Sequence, residues 1–161
     1  MRPGVRLGID VGRARVGVAR SDSAAVLAVP VETVARSADG DADVRRILEL
    51  AGEHSATELV VGHPLSLSGA VTASTEDAVA FASRLAFVAG PGLPVRLVDE
   101  RLSTVTAQQQ LRAAGKKAKQ QRPVIDQAAA VIILQHALDA ERASGTAPGR
   151  VLPTDEGPFP P

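Results

Sequence analysis

Cysteine is absent from the 161 residues. That single absence excludes disulfides, thiolate zinc sites and a cysteine nucleophile, and it is compatible with a reducing compartment. Tryptophan and tyrosine are also absent, and aromatics reach only 2%, as Phe81, Phe87 and Phe159. Base stacking on aromatic platforms is therefore not expected; recognition of a nucleic acid must run through backbone phosphates and shape. No apolar run approaches the roughly 20 residues that span a bilayer, and Met1-Arg2-Pro3-Gly4-Val5 carries no apolar signal core. Cytoplasmic residence with no membrane partner is the expectation. Formal net charge is zero, so bulk charge names no partner. Gly115-Lys116-Lys117 lacks the upstream Gly and the following Ser/Thr of a P-loop. No G-x-G-x-x-G follows a strand, and there is no G-x-S-x-G nucleophile elbow.

What is present is enough apolar residue, 45%, to fill one core. Residues 5–11, 16–20 and 27–35 read as three strands close enough for hairpins. A helix is predicted from the Ala38-Asp39-Gly40-Asp41 start to about Glu53, then a strand at 59–62 and a loop at 63–69. Ser74-Thr75-Glu76-Asp77 resembles a capping box for a second helix. A strand ending at Glu100, a short helix over 103–114, a basic loop and a last helix over 124–142 complete one domain, residues 1–142. The Pro-rich segment 143–161 reads as a flexible tail. Hairpin-linked strands extended by parallel crossovers give an α/β fold of ribonuclease H-like arrangement: a mixed five-stranded sheet with helices on both faces.

Three acids fall at chemically suggestive places. Asp10 ends the apolar run from Val5, Glu100 ends the run from Val95, and Asp126 opens the last helix. Burying carboxylates is costly unless they meet a cation, and Mg²⁺ or Mn²⁺ is the natural partner of oxygen ligands. Phosphodiester cleavage by two metals needs such carboxylates around ions roughly 3.5–4 Å apart. Each acid also has a plain structural explanation. Asp10 could open a turn with Gly12. Glu100 could pair with Arg96 or Arg101, and Asp99 competes with it because one residue of register swaps their faces. Asp126 could be a helix-start acid favoured by the dipole. His63, after the fourth strand, is either a proton shuttle or an ordinary loop histidine. Ser66 and Ser68 suit phosphate or a turn equally. All three lysines, Lys116, Lys117 and Lys119, lie with Arg112 and Arg122 in a segment free of acids until Asp126. Such a segment suits an approaching polyanion or, more plainly, a solvated loop.

Four segments resemble the YqgF family of bacterial ribonuclease H-like proteins, described as pre-16S rRNA nucleases and as Holliday-junction resolvase-like proteins. They are Leu7-Gly8-Ile9-Asp10-Val11-Gly12 with Arg15-Val16-Gly17-Val18-Ala19 and Ser21-Asp22; Val61-Gly62-His63-Pro64-Leu65 with Gly69; Asp99-Glu100-Arg101-Leu102-Ser103-Thr104; and Ile125-Asp126 with Ala128-Ala129 and Ile133-Leu134-Gln135. The resemblance implies that Asp10, Glu100 and Asp126 are metal-binding catalytic acids, and it favours Glu100 over Asp99. It implies a structured nucleic acid as substrate: pre-16S rRNA trimmed at its 5′ end, or branched DNA, whose symmetric cleavage calls for a homodimer. Arg15, His63, Ser66, Lys116, Lys117, Lys119 and Arg122 are the expected substrate contacts. The sequence departs from the family in carrying histidine before Pro64-Leu65. Two readings from other classes compete: an actin-like ATPase, which needs a second such domain, and a non-catalytic RNA-binding module, against which the intact acids argue.

Overall fold

Alternation of apolar and small residues along Val5–Val11 (β1), Arg15–Ser21 (β2) and Ala28–Ala35 (β3) produces an antiparallel meander with Asp10 opposite Gly17. The computed structural model describes residues 2–66, 68–99 and 118–154, with the side chains of 118–125 excepted. Helix α1 (Ala42–Glu53) returns the chain to β4 (Ala56–His63), parallel to β1, and α2 (Ala73–Ala89) returns it to β5 (Val95–Asp99), parallel to β4. Helix α3 (Ala118–Ser144) and a short β6 (Arg150–Val151) follow. The sheet order is β3-β2-β1-β4-β5-β6.

Strand parity divides the core into two. Leu7, Ile9, Val16, Val18, Leu59, Val61, Val95 and Leu97 pack with α1 and α2 residues such as Ile47, Phe81 and Leu85. On the opposite face, Ala19, Val60 and Val98 pack with Ala130, Ile133, Leu134 and Leu138 of α3. Arg6, Gly8 and Asp10 alternate with Leu7 and Ile9, so they belong to the α3 side.

Four expectations are corrected. The sheet has six strands rather than five, because Arg150 and Val151 pair with Leu97 and Arg96. Residues 145–154 are accordingly not a loose extension. Leu152 is buried and its backbone N–H donates to Val95 O at 2.8 Å, while Arg96 Nη1 donates to Pro148 O at 3.2 Å. The cap of α2 lies earlier than Ser74: extended Thr72 is the N-cap, exchanging side-chain-to-backbone bonds with Thr75. Finally, α3 starts before Pro123, so the end of the expected basic loop is helical and Asp126 sits more than two turns in. Proline near a helix start removes one backbone hydrogen bond without ending the helix. The dipole argument for Asp126 therefore lapses, since that effect fades beyond the first turn. The expected helix at 103–114 lies outside the described residues.

Candidate active site

Two glycines let α3 lie almost on the sheet. A Cβ at Gly8 would stand 2.6 Å from Leu134 Cβ and 2.8 Å from Ala130 O. One at Gly17 would overlap the carbonyl oxygen of Asp126, only 1.9 Å away. No side chain fits there. Because Gly17 is the register partner of Asp10, the same close approach brings the third turn of α3 beside the end of β1. The sequence supplies this local fit with small residues at successive α3-facing positions, Gly8, Gly17 and Ala19.

The electrostatics follow from the packing. Asp10 is partly buried at the C-terminal end of β1, and its carboxyl is pushed up to about 7, first by burial and then by the charge of Asp126. Desolvation and a neighbouring like charge both disfavour the ionised form. Asp126 meets a cation: Arg15 Nε donates to its Oδ2 at 2.9 Å. Two acids and one guanidinium thus share this end of the β1–α3 seam, leaving an excess of negative charge that a divalent cation would neutralise. Oxygen donors of this kind suit Mg²⁺ or Mn²⁺.

Arg36 braces the site without reaching it, and nothing in the sequence singled it out. Its Nη1 donates to Gly12 O at 2.8 Å and to Asp77 Oδ2 at 2.8 Å, and Nη2 donates to Asp77 Oδ1 at 3.0 Å. The guanidinium stands 5.0 Å from the centre of the Phe81 ring. Together with Arg36 N donating to Ala14 O at 2.9 Å and Gly12 N to Arg15 O at 2.8 Å, this fixes the β1–β2 turn that carries Arg15. Its partners come from distant elements, so spacing gave no signal.

Asp10, Asp126 and Arg15 are brought together; other expected residues are not. His63 shares strand parity with Leu59 and Val61, on the α1/α2 face away from Asp10, and it pairs in register with Asp99. Asp99 shares the parity of Val95 and Leu97, which places it on the α1/α2 side of the sheet rather than the α3 side. The Ser66 hydroxyl is taken up by its own turn, accepting from Ala70 N at 3.0 Å and lying 2.8 Å from Ser68 Oγ. Glu100, Lys116 and Lys117 lie outside the described residues, as do the side chains of Lys119 and Arg122. Among the described residues no three His, Cys, Asp or Glu side chains gather closely enough to hold a metal ion.

A family model described as "RuvX: Holliday junction resolvase" matches residues 4–140. The chain belongs to the RuvX family. Among its RuvX relatives, a protein of Clavibacter sepedonicus is 63% identical over 153 residues, covering 95% of this chain and 94% of that one. A protein of Leifsonia xyli is 61% identical over 158 residues, covering 98% and 100%. Both carry the name "Putative pre-16S rRNA nuclease". Among solved structures, T. thermophilus RuvC in complex with Holliday junction substrate superposes with a TM-score of 0.54 at 20% identity, over 92% of this chain and 99% of that one. The likeness shows that this RuvX chain has the ribonuclease H-like fold of RuvC. Among the described residues no helix is long and apolar enough to cross a membrane.

Proposed function

We propose that this RuvX protein is a cytoplasmic, metal-dependent endonuclease that trims the 5′ end of 16S ribosomal RNA precursors. One observation carries the catalytic part: at the end of β1, burial first and the charge of Asp126 second push the Asp10 carboxyl up to about 7. A fold gains nothing from such an arrangement by itself, and perturbed acids of this kind cluster at functional sites. Asp10 and Asp126 would hold the metal, with Glu100 completing the ligand set. When bound, Mg²⁺ or Mn²⁺ supplies activation of water and stabilisation of the leaving oxygen. The chain's own part is to place the acids on rigid elements, at the end of β1 and beside it on α3, and to meet phosphate with cations. Arg15 and the basic residues Lys116, Lys117, Lys119 and Arg122 take that last role. The RNA substrate is supported by the names of relatives that match nearly the whole chain.

The family description favours a second reading, cleavage of branched DNA. Symmetric cutting of a four-way junction requires two sites, hence a homodimer. Offering a pre-16S transcript, a four-way DNA junction and single-stranded RNA side by side with Mn²⁺ separates the two. Cleavage of the transcript at a defined position, lost in Asp10→Asn and Asp126→Asn, supports the first reading. Paired cuts in the junction alone support the second. Cleavage that survives Asp10→Asn overturns both.

A further inference from the structure

The pairing of Arg15 with Asp126 is unlike the other ion pairs that join the sheet to α3. Arg15 makes one bond, through Nε, at 2.9 Å, and its side chain remains 34% exposed. Among the described residues its Nη1 and Nη2 make no hydrogen bond, so no described partner fixes the rest of the guanidinium fork. The carboxylate it touches is one of the two that would take the metal. A single-bond, third-exposed pair is weak, worth on the order of 1 kcal/mol or less. A divalent ion that takes the same carboxylate oxygens meets Arg15 as a competitor, both for the oxygen and by charge repulsion.

We infer that Arg15 is an internal counterion of Asp126, displaced when metal binds and thereby released to a substrate phosphate. The inference rests on the metal-dependent reading above and assigns Arg15 a double role that simple substrate contact does not have. Guanidinium geometry suits both partners, since the same planar fork pairs with carboxylate and with phosphate. Because Arg15 serves one anion at a time, its two engagements are linked. Nucleic acid that draws Arg15 away frees Asp126 for metal, and metal that takes Asp126 frees Arg15 for nucleic acid. Linkage requires the coupling to be reciprocal. The hairpin suits such a transfer: Arg36 and the backbone bonds of the turn hold the main chain that carries Arg15, so only its side chain need change partner.

The test measures binding rather than cleavage. Mn²⁺ uptake by the full chain is followed through the electron paramagnetic resonance of the free ion for wild type, Arg15→Gln, Arg15→Lys and Asp126→Asn. RNA affinity is measured separately by fluorescence anisotropy on a short duplex with chelator present and with Ca²⁺. Arg15→Gln is expected to bind Mn²⁺ about fivefold more tightly than wild type and to bind RNA more weakly in Ca²⁺. Arg15→Lys, which keeps the charge without the fork, should lie between the two on both counts. It also carries the test if the glutamine variant fails to fold. Equal or weaker Mn²⁺ binding in both Arg15 variants overturns the inference and leaves the metal reading standing. Absence of Mn²⁺ uptake by wild type and variants alike overturns the metal reading and this inference with it.

Discussion

The seam between β1 and α3 is charged at both ends, and the two ends are built to opposite rules. Where β1 begins, buried Arg6 lies 3.5 Å from buried Glu141. Arg2 joins Glu141 at 2.6 Å and Glu58 at 3.3 Å, and Arg96 reaches Glu58 at 3.3 Å. Three arginines and two glutamates are interlaced there, so each carboxylate has at least two cationic neighbours. Where β1 ends, Asp126 meets one partly exposed arginine, and Asp10 is held up by burial and by the charge of Asp126. At the first end arginines outnumber glutamates, no carboxylate there goes unanswered, and the N-terminus and residues 145–154 are tied to the sheet. At the second, among the described residues, acids outnumber arginines. The first end is also the more deeply buried, so burial and the number of opposing charges both separate the two ends.

The first end should fail hardest. Replacing Glu141 by Gln leaves Arg6 buried without its anion, and the loss should be about 3 kcal/mol, read from urea unfolding at neutral pH. Arg2 above all holds the Glu141 carboxyl below its usual range. A lowered folded-state value means that the contribution is present above the ordinary glutamate range and is lost as pH falls through the lower value. The gap between wild type and Glu141→Gln should therefore narrow on acidification; a gap independent of pH would show that packing, not charge, binds this end.

Gly17→Ala tests the other end through its backbone. Its methyl cannot coexist with the Asp126 carbonyl, so α3 must retreat, at a cost of about 1–3 kcal/mol. Cleavage should fall far more than stability, because Asp126 moves with the helix. Gly52→Ala in α1 is the control: open space surrounds it, and it should be neutral or mildly stabilising.

The smallest effect has the opposite sign. Asp10 titrates near 7 in the folded chain against an ordinary 3.8, so the folded state holds the proton longer and stability drains away as pH rises between those values. Asp10→Asn has no such loss. In chelator its melting temperature should match wild type near pH 4 and exceed it by a few °C at pH 8, while cleavage vanishes. A variant less stable than wild type at pH 8 would mean that Asp10 already has a cationic partner.

Much of this was readable in the chain. The three hairpin strands announced themselves by their apolar runs and close spacing, and β4, α2 and β5 by apolar runs between turn residues. Asp10 was recognisable because it closes such a run. The start of α3 was not, because Pro123 reads as punctuation, whereas packing of Ala130, Ile133 and Leu134 against Ala19, Val60 and Val98 holds the helix in place around it. Strand β6 was invisible because two exposed residues carry no pattern; only pairing with Arg96 and Leu97 makes them a strand. Strand reading left Asp99 and Glu100 undecided, because one residue of register swaps their faces, and only the family resemblance favoured Glu100.

By itself the sequence determined the order of elements, the family and the candidate acids, since these depend on local periodicity and short motifs. Tertiary structure alone decided which charges answer which: that Arg15 meets Asp126 across 111 positions, that His63 turns to the other face, and that Arg36 braces the hairpin from three sides. The reason is physical. An ion pair and a raised carboxyl depend on separation and on exclusion of water, and here both were set by two glycines that allow a helix to touch a sheet.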